Sequence, residues 1–218
     1  MSHERFVGED AALGLRERKR RETRSALSMA AIRLCVERGW DKVTVDDIAA
    51  AANVSPRTFR NYFSGKAEAV ASRHVDRVLR IADELRARPA GEPLWDSITG
   101  AVLAEFAPAD SAPRGGLAHD RRWQDAVRLM LADPALHGEI VKANAAAQDE
   151  LAAAIAERTG LNPDRDLYPK LAAAAVCAAI GVATEHCLRA DEPTPLGPVL
   201  REAFDRLTAG LPAPGGDR

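Results

Sequence analysis

From Leu171 to Ala183 the chain runs for thirteen residues, Leu-Ala-Ala-Ala-Ala-Val-Cys-Ala-Ala-Ile-Gly-Val-Ala, without one polar side chain. The run sits in a segment whose pattern predicts a helix from about residue 165 to 189. A helix with no polar face must be covered on every side, so neighbouring helices have to surround it. No stretch approaches the roughly eighteen uninterrupted apolar residues that a membrane span needs, and the N-terminal residues lack the basic-then-apolar layout of a secretory signal. The expectation is a cytoplasmic protein with no membrane partner.

Composition points the same way. Ala, Leu, Arg and Glu are abundant, aromatic residues make up 5% of the 218, and the 46% hydrophobic content suffices for a real core. The expected fold class is all-α, with an N-terminal three-helix unit followed by a larger helical domain. Residues 1–15 show no sustained period and read as a flexible arm. From Arg16 the period is helical, with Leu27, Ala30, Ala31, Leu34 and Cys35 on one face and Gly39 as the stop.

Three short signals then follow in quick succession. Thr44 with Asp47 three residues later is a capping-box-like start for a helix carrying Ile48, Ala49 and Ala52. That helix halts at Asn53, which tolerates a left-handed turn. Ser55 caps another helix, with Pro56 at its first position, where a missing N–H costs nothing. A long helix is expected from Lys66 to about Arg88, with Val70, His74, Val78, Ile81 and Leu85 down one side, broken by the Pro89–Pro93 segment. Further amphipathic helices carry Trp95 to Phe106, then Trp123 to Leu131, then Leu136 to Ile155. A loop from Pro108 to Gly116 separates the first two of these, and a last helix runs from about 195 to 210.

Two short helices joined by a tight turn, the second capped and basic, describe a helix-turn-helix whose second helix enters the DNA major groove. Ile48, Ala49, Ala52, Val54, Phe59 and Tyr62 supply the shared core. Pro56, Arg57, Arg60 and Asn61 are left facing outward, joined by Ser55 and Thr58. Arg can pair with guanine O6 and N7, and Asn with adenine N6 and N7, so this is base-reading chemistry. Thr44 and Lys66, each near a helix N-terminus, suit phosphate. The basic tract Arg16 to Arg24 would reach a flanking phosphate or a minor groove. The net charge of −2 argues against a protein that coats nucleic acid indiscriminately.

Residues 24–70 resemble the N-terminal domain of the TetR family. The resemblance rests on Ala31-Ile32-Arg33-Leu34 through Glu37-Arg38-Gly39-Trp40, Thr44-Val45-Asp46-Asp47-Ile48-Ala49, Val54-Ser55 and Tyr62-Phe63, with Lys66 following. It implies phosphate contacts at Lys66, Thr44 and Tyr62, and a homodimer paired through helices at about 165–189 and 195–210. Arg60 departs from the aromatic common at its place in the family, and Trp40 from the usual Phe or Tyr; Trp40 reads as a core aromatic closing the first helix on the second. The C-terminal half is more weakly similar to regulatory domains of actinobacterial members found near mycofactocin genes. That resemblance suggests an acyl-CoA or other largely apolar effector.

The division expected is an arm at 1–15, a DNA-binding domain at 16–65, a regulatory and dimerisation domain at 66–211 and a disordered tail at 212–218. Within the regulatory domain, Trp95, Phe106, Trp123, Met130 and Cys177 are candidate pocket walls, and Asn144 and Gln148 candidate polar contacts. Core packing is the competing reading for each apolar one. Cys35, Cys177 and Cys187 make no disulfide framework. His119, His137 and His186 with Glu185 lack metal-ligand spacing, and no nucleophile or phosphate-cradling motif is present, so neither enzyme activity nor a cofactor is expected. The function expected is a homodimeric repressor released from a palindromic DNA operator by a small apolar effector. An activator with the same head is an alternative, as is a helical ligand-binding protein or enzyme that retains the head as scaffold.

Overall fold

The computed structural model describes the backbone of residues 3–107, 121–192 and 194–212, and their side chains apart from residues 3–15, 17, 122 and 123. Among the described residues the backbone forms nine α-helices, one 3-10 turn and no strand. The helices are α1 (His3–Arg38), α2 (Val45–Ala51), α3 (Pro56–Arg60), α4 (Lys66–Ala87), α5 (Leu94–Phe106), α6 (Arg121–Leu131), α7 (Pro134–Thr159), α8 (Leu167–Arg189) and α9 (Leu196–Thr208), with the turn at Trp40–Lys42. The predicted loop from Pro108 to Gly116, His119 and the tail from residue 213 lie outside the described residues.

One boundary differs clearly from expectation. The helix expected from Arg16 begins at His3, inside the segment read as a flexible arm. Residues 3–15 have no amphipathic period, which removes a packing signal but not helix propensity. Glu4, Arg5, Glu9, Ala11, Ala12 and Leu13 favour helix, and no Pro interrupts the segment.

The chain divides into two compact units, Met1–Arg73 and His74–Arg218, so the division falls inside α4 rather than ahead of Lys66. The first unit closes around Leu27, Ala31, Leu34 and Cys35 of α1, Ile48 and Ala49 of α2, Phe59 of α3, and Phe63, Ala69 and Val70. Its turns follow from their residues. Gly39 (φ 90°) ends α1 and donates to the Cys35 carbonyl at 3.0 Å, while Asn53 makes the bend between α2 and α3 at φ 56°.

In the second unit α8 is the central element, packed mainly by α7 and α9. Ala172, Ala173, Val176, Cys177, Ala179, Ile180 and Ala183 meet Leu151, Ala152 and Ile155 of α7 and Leu200 and Phe204 of α9, with Val78, Ile81 and Leu85 of α4 and Ile98 and Val102 of α5 completing the core. Pro169 is tolerated because it lies in the first turn of α8, where its absent N–H would have no partner. The requirement that α8 be covered all round is only partly met. Leu171 and Val182 remain 59% and 65% exposed. By length and composition α8 would pass as a membrane span, yet half of its apolar window is buried inside the fold.

The C-terminal end of α4 is closed by a residue 70 positions away. Arg158, on α7, donates to the carbonyls of Leu85 (3.5 Å), Arg88 (3.1 Å), Pro89 and Glu92 (3.1 Å), and to Ser97 Oγ at 2.7 Å. Arg88, Pro89 and Glu92 lie beyond the last residue of α4, where the Pro89 carbonyl also accepts from Glu92 N at 3.1 Å, and the guanidinium brings donors to carbonyls that the helix ladder does not reach. Beside it, Arg88 donates to Glu92 at 2.6 Å and Ser97 Oγ donates to the same carboxylate at 2.7 Å. Arg86 ties α4 to α7 through Glu157 (2.9 Å) and Glu150 (2.8 Å).

Replacing Arg158 by Met should cost about 2–4 kcal/mol, because it strands several carbonyls at once. Thermal denaturation should register this as a fall in Tm of roughly 5–15 °C for a chain of this size. Glu92 gives a pH signature. Arg88 first, and Ser97 second, hold its carboxyl down to about 2 from an ordinary 4.5. A depressed carboxylate stabilises the fold fully above its unfolded pKa and loses that effect as pH drops towards the folded one. Melting temperatures followed from pH 4.5 to 2 should therefore fall less steeply in Glu92→Gln than in the parent.

Candidate nucleic-acid interface

The helix-turn-helix is assembled from interactions local to α2 and α3. Thr44 is the N-cap of α2 in a reciprocal capping box: its Oγ1 accepts from Asp47 N at 3.2 Å, and the Asp47 carboxylate accepts from Thr44 N at 2.9 Å. The Thr44 hydroxyl also donates to that carboxylate at 2.5 Å. These bonds, with the Thr44 hydroxyl foremost, hold the Asp47 carboxyl below its usual range. Ser55 caps α3, accepting from Thr58 N at 3.0 Å, with its hydroxyl 2.9 Å from that of Thr58. Pro56 occupies the first helical position.

Phe59 faces inward with no exposed surface and packs on Phe63, their ring centroids 5.7 Å apart. Its burial fixes the rotation of α3. Arg57, Arg60 and Asn61 consequently stand exposed, Ser55 beside them, while Pro56, Thr58 and Tyr62 are half-buried. Arg57, Arg60 and Asn61 thus form the face predicted for reading bases, with Asn61 as the C-cap of α3. Phe63 is the core residue that sequence reasoning left out. Its pairing with an aromatic four residues earlier was the available signal.

Three of the expected phosphate contacts already have partners within the protein. Lys66 Nζ donates to the carbonyls of Trp40 (2.6 Å) and Val43 (3.2 Å) and lies 4.6 Å from the centre of the Trp40 ring. One of its three N–H donors is left for another group. Trp40 is half-buried under this ammonium, not enclosed in the core as the sequence suggested. The Thr44 hydroxyl gives its proton to Asp47, so the carboxylate occupies the anion position at the start of α2. Arg24 lays its guanidinium 5.2 Å above the Phe63 ring. Charge is divided unevenly between the units. Residues 1–73 carry 14 Lys and Arg against 10 Asp and Glu, and residues 74–218 carry 16 against 22.

Comparison with known proteins decides the family. Residues 29–71 match the model for bacterial regulatory proteins of the tetR family, and residues 92–212 match the MftR C-terminal domain. The HTH-type transcriptional regulator TcmR of Streptomyces glaucescens is 34% identical over 206 residues, 91% of this chain and 88% of its own length. The chain belongs to the TetR family. A Mycobacterium tuberculosis protein named for the regulation of mycofactocin biosynthesis is 31% identical over 97% of the chain and 98% of its own length, in keeping with the resemblance seen in the C-terminal half. Among solved structures, Thermus thermophilus FadR, a transcriptional repressor in complex with lauroyl-CoA, aligns with TM-score 0.52 at 21% identity, over 88% of this chain and 100% of that one. At that identity the likeness is one of fold.

In the second unit of this TetR-type transcriptional regulator two clefts lie among the described residues, and none of Trp95, Phe106, Met130, Asn144, Gln148 and Cys177 lines either of them. One cleft, of about 450 Å³, is lined by Arg80, Asp83, Glu84, Ala87 and residues of α5. The other, of about 490 Å³, lies among Leu103, Gly197, Pro198, Arg201, Glu202 and Asp205. Cys177 sits in the core, its thiol pushed up to about 11 by burial, and Trp95 and Phe106 pack against the same core. Met130 is buried on α6, and the Trp123 side chain lies outside the described residues. Gln148 is half-buried on α7. Asn144 hydrogen-bonds His74, an imidazole that burial pushes below its ordinary pKa against the effect of that bond. Sequence analysis had placed His74 only on the apolar stripe of α4.

Because Lys66 bonds two carbonyls, Lys66→Met should lower stability by about 1–3 kcal/mol. Exposed Arg57→Ala should stay within about 0.5 kcal/mol of the parent. Thermal melts of the full chain compare the two directly, and equal melting temperatures would show that the Lys66 bonds contribute nothing.

Proposed function

We propose that the protein is a homodimeric, cytoplasmic repressor that binds a palindromic operator through α3 and releases it when a small effector occupies the regulatory unit. The observation that carries this reading is the outward face Arg57, Arg60 and Asn61, held at fixed rotation by the Ser55 cap and the buried Phe59. A guanidinium pair and a carboxamide on one exposed helix face can read guanine and adenine edges. The excess of cations in residues 1–73 favours the same unit as the one that meets DNA.

Dimerisation is supported by α8, whose exposed Leu171 and Val182 would be covered by a second copy of α8 and α9. Two heads about 34–36 Å apart would meet successive major grooves. The effector reading is supported by the size of the helical unit and its match to a regulator C-terminal domain. The lauroyl-CoA held by the FadR neighbour fits the apolar class suggested by sequence, and we assign this protein no catalytic step.

The test is binding of the purified protein to duplex DNA from its own upstream region, against random duplex at physiological salt. A palindromic fragment should bind preferentially, with two protomers per site by sedimentation. Arg57→Ala or Asn61→Ala should reduce discrimination by about 1–3 kcal/mol at the base each one reads. Equal affinity for palindromic and random duplex would sink the proposal; where the palindrome is preferred, a compound screen for release from it identifies the effector.

A further inference from the structure

Ahead of the first buried residue of α1, Leu27, the helix is crowded with cations. Residues 16–24 hold six Lys and Arg against two Glu, and among the described side chains of residues 16–26 none is buried. Arg16, Arg18, Lys19 and Arg20 all stand exposed. At about 100° per residue, Arg16, Lys19 and Arg18 lie roughly 40°, 100° and 160° from Arg20 around the axis. A helix positive on so many sides has no face to pack into a core, but it suits a partner recognised by charge alone.

The root of this segment is fixed beside the readout helix. The Arg24 guanidinium lies 5.2 Å over Phe63, and Phe63 packs on Phe59, the inward residue of α3. Arg60 and Asn61 lie between those two aromatics in the chain. The basic stretch is therefore rooted on the aromatic pair that brackets Arg60 and Asn61 in the chain. From Arg16 to Arg24 the helix rises about 12 Å, the axial length over which one DNA strand presents roughly three to four phosphates. The Arg18–Glu22 ion pair, at 3.4 Å and with side chains 77% and 64% exposed, offers little resistance to exchange for a phosphate.

We propose that the N-terminal part of α1 is a second, sequence-independent DNA contact, in which Arg16, Arg18, Lys19 and Arg20 lie along phosphates flanking the half-site read by α3. This rests on the DNA-binding reading above and extends its footprint. Specificity stays with α3, whereas the arm adds affinity that salt weakens.

The experiment compares the full-length parent with Arg16→Gln/Arg18→Gln/Lys19→Gln/Arg20→Gln on one palindromic fragment and on random duplex, from about 50 to 200 mM salt. The plot of log affinity against log salt should lose about 0.9 in slope for each phosphate contact removed, two to four of them per bound protomer. Preference for the palindrome should persist, and hydroxyl-radical protection outside the half-sites should vanish. The milder pair Arg16→Gln/Lys19→Gln should give about half the change in slope, and circular dichroism reports whether either variant keeps its helix. Slopes that agree between parent and both variants overturn the arm contact while leaving readout by α3 standing. A parent that binds neither duplex overturns the reading on which both depend.

Discussion

An alanine-rich helix that water cannot solvate dictates the arrangement of the larger unit. Small side chains on α8 let α7 and α9 approach its backbone closely, and the contacts they make are numerous because little intervenes. α4 and α5 then close the same core from their own sides with Val78, Ile81, Leu85, Ile98 and Val102. The cover is incomplete on one flank, where Leu171 and Val182 face outward. Exposed apolar side chains on that flank are what the proposed pairing of two copies would cover.

The smaller unit obeys a different logic. Its helices α2 and α3 are too short to be stable by themselves, and they are defined by caps at their ends more than by burial along their length. That is why these two were legible in the sequence. Thr44, Asp47, Asn53, Ser55 and Pro56 act on residues within four positions of themselves, and short-range chemistry is visible in a string of letters. The same holds for the outward set Arg57, Arg60 and Asn61, once Phe59 is recognised as inward.

Long-range relations were harder to see. Nothing near Lys66 in sequence announces that its ammonium bonds carbonyls more than twenty residues earlier, or that Trp40 would shelter beneath it. Asn144 was singled out as a polar interruption, but its partner His74 lies on another helix and had been taken for part of an apolar stripe. The seven ligand residues were chosen by type and period, and these cannot distinguish a wall of a cleft from a filler of the core. Cys177, Trp95 and Phe106 serve the core. The helical start at His3 escaped notice because amphipathic period was the criterion, and a helix without a packing face has none.

The joint at the end of α4 carries an implication for how this sequence can change. Arg158 addresses main-chain oxygens at positions 85, 88, 89 and 92, and only at Ser97 does it depend on a side chain. Carbonyl oxygens are the same whatever residue bears them. The residues of this segment other than Arg88 and Glu92, whose side chains pair with each other and with Ser97, are thus free to drift in identity while the anchor holds, provided the backbone path is kept. Constancy is asked of that pair and of an arginine far away in the chain.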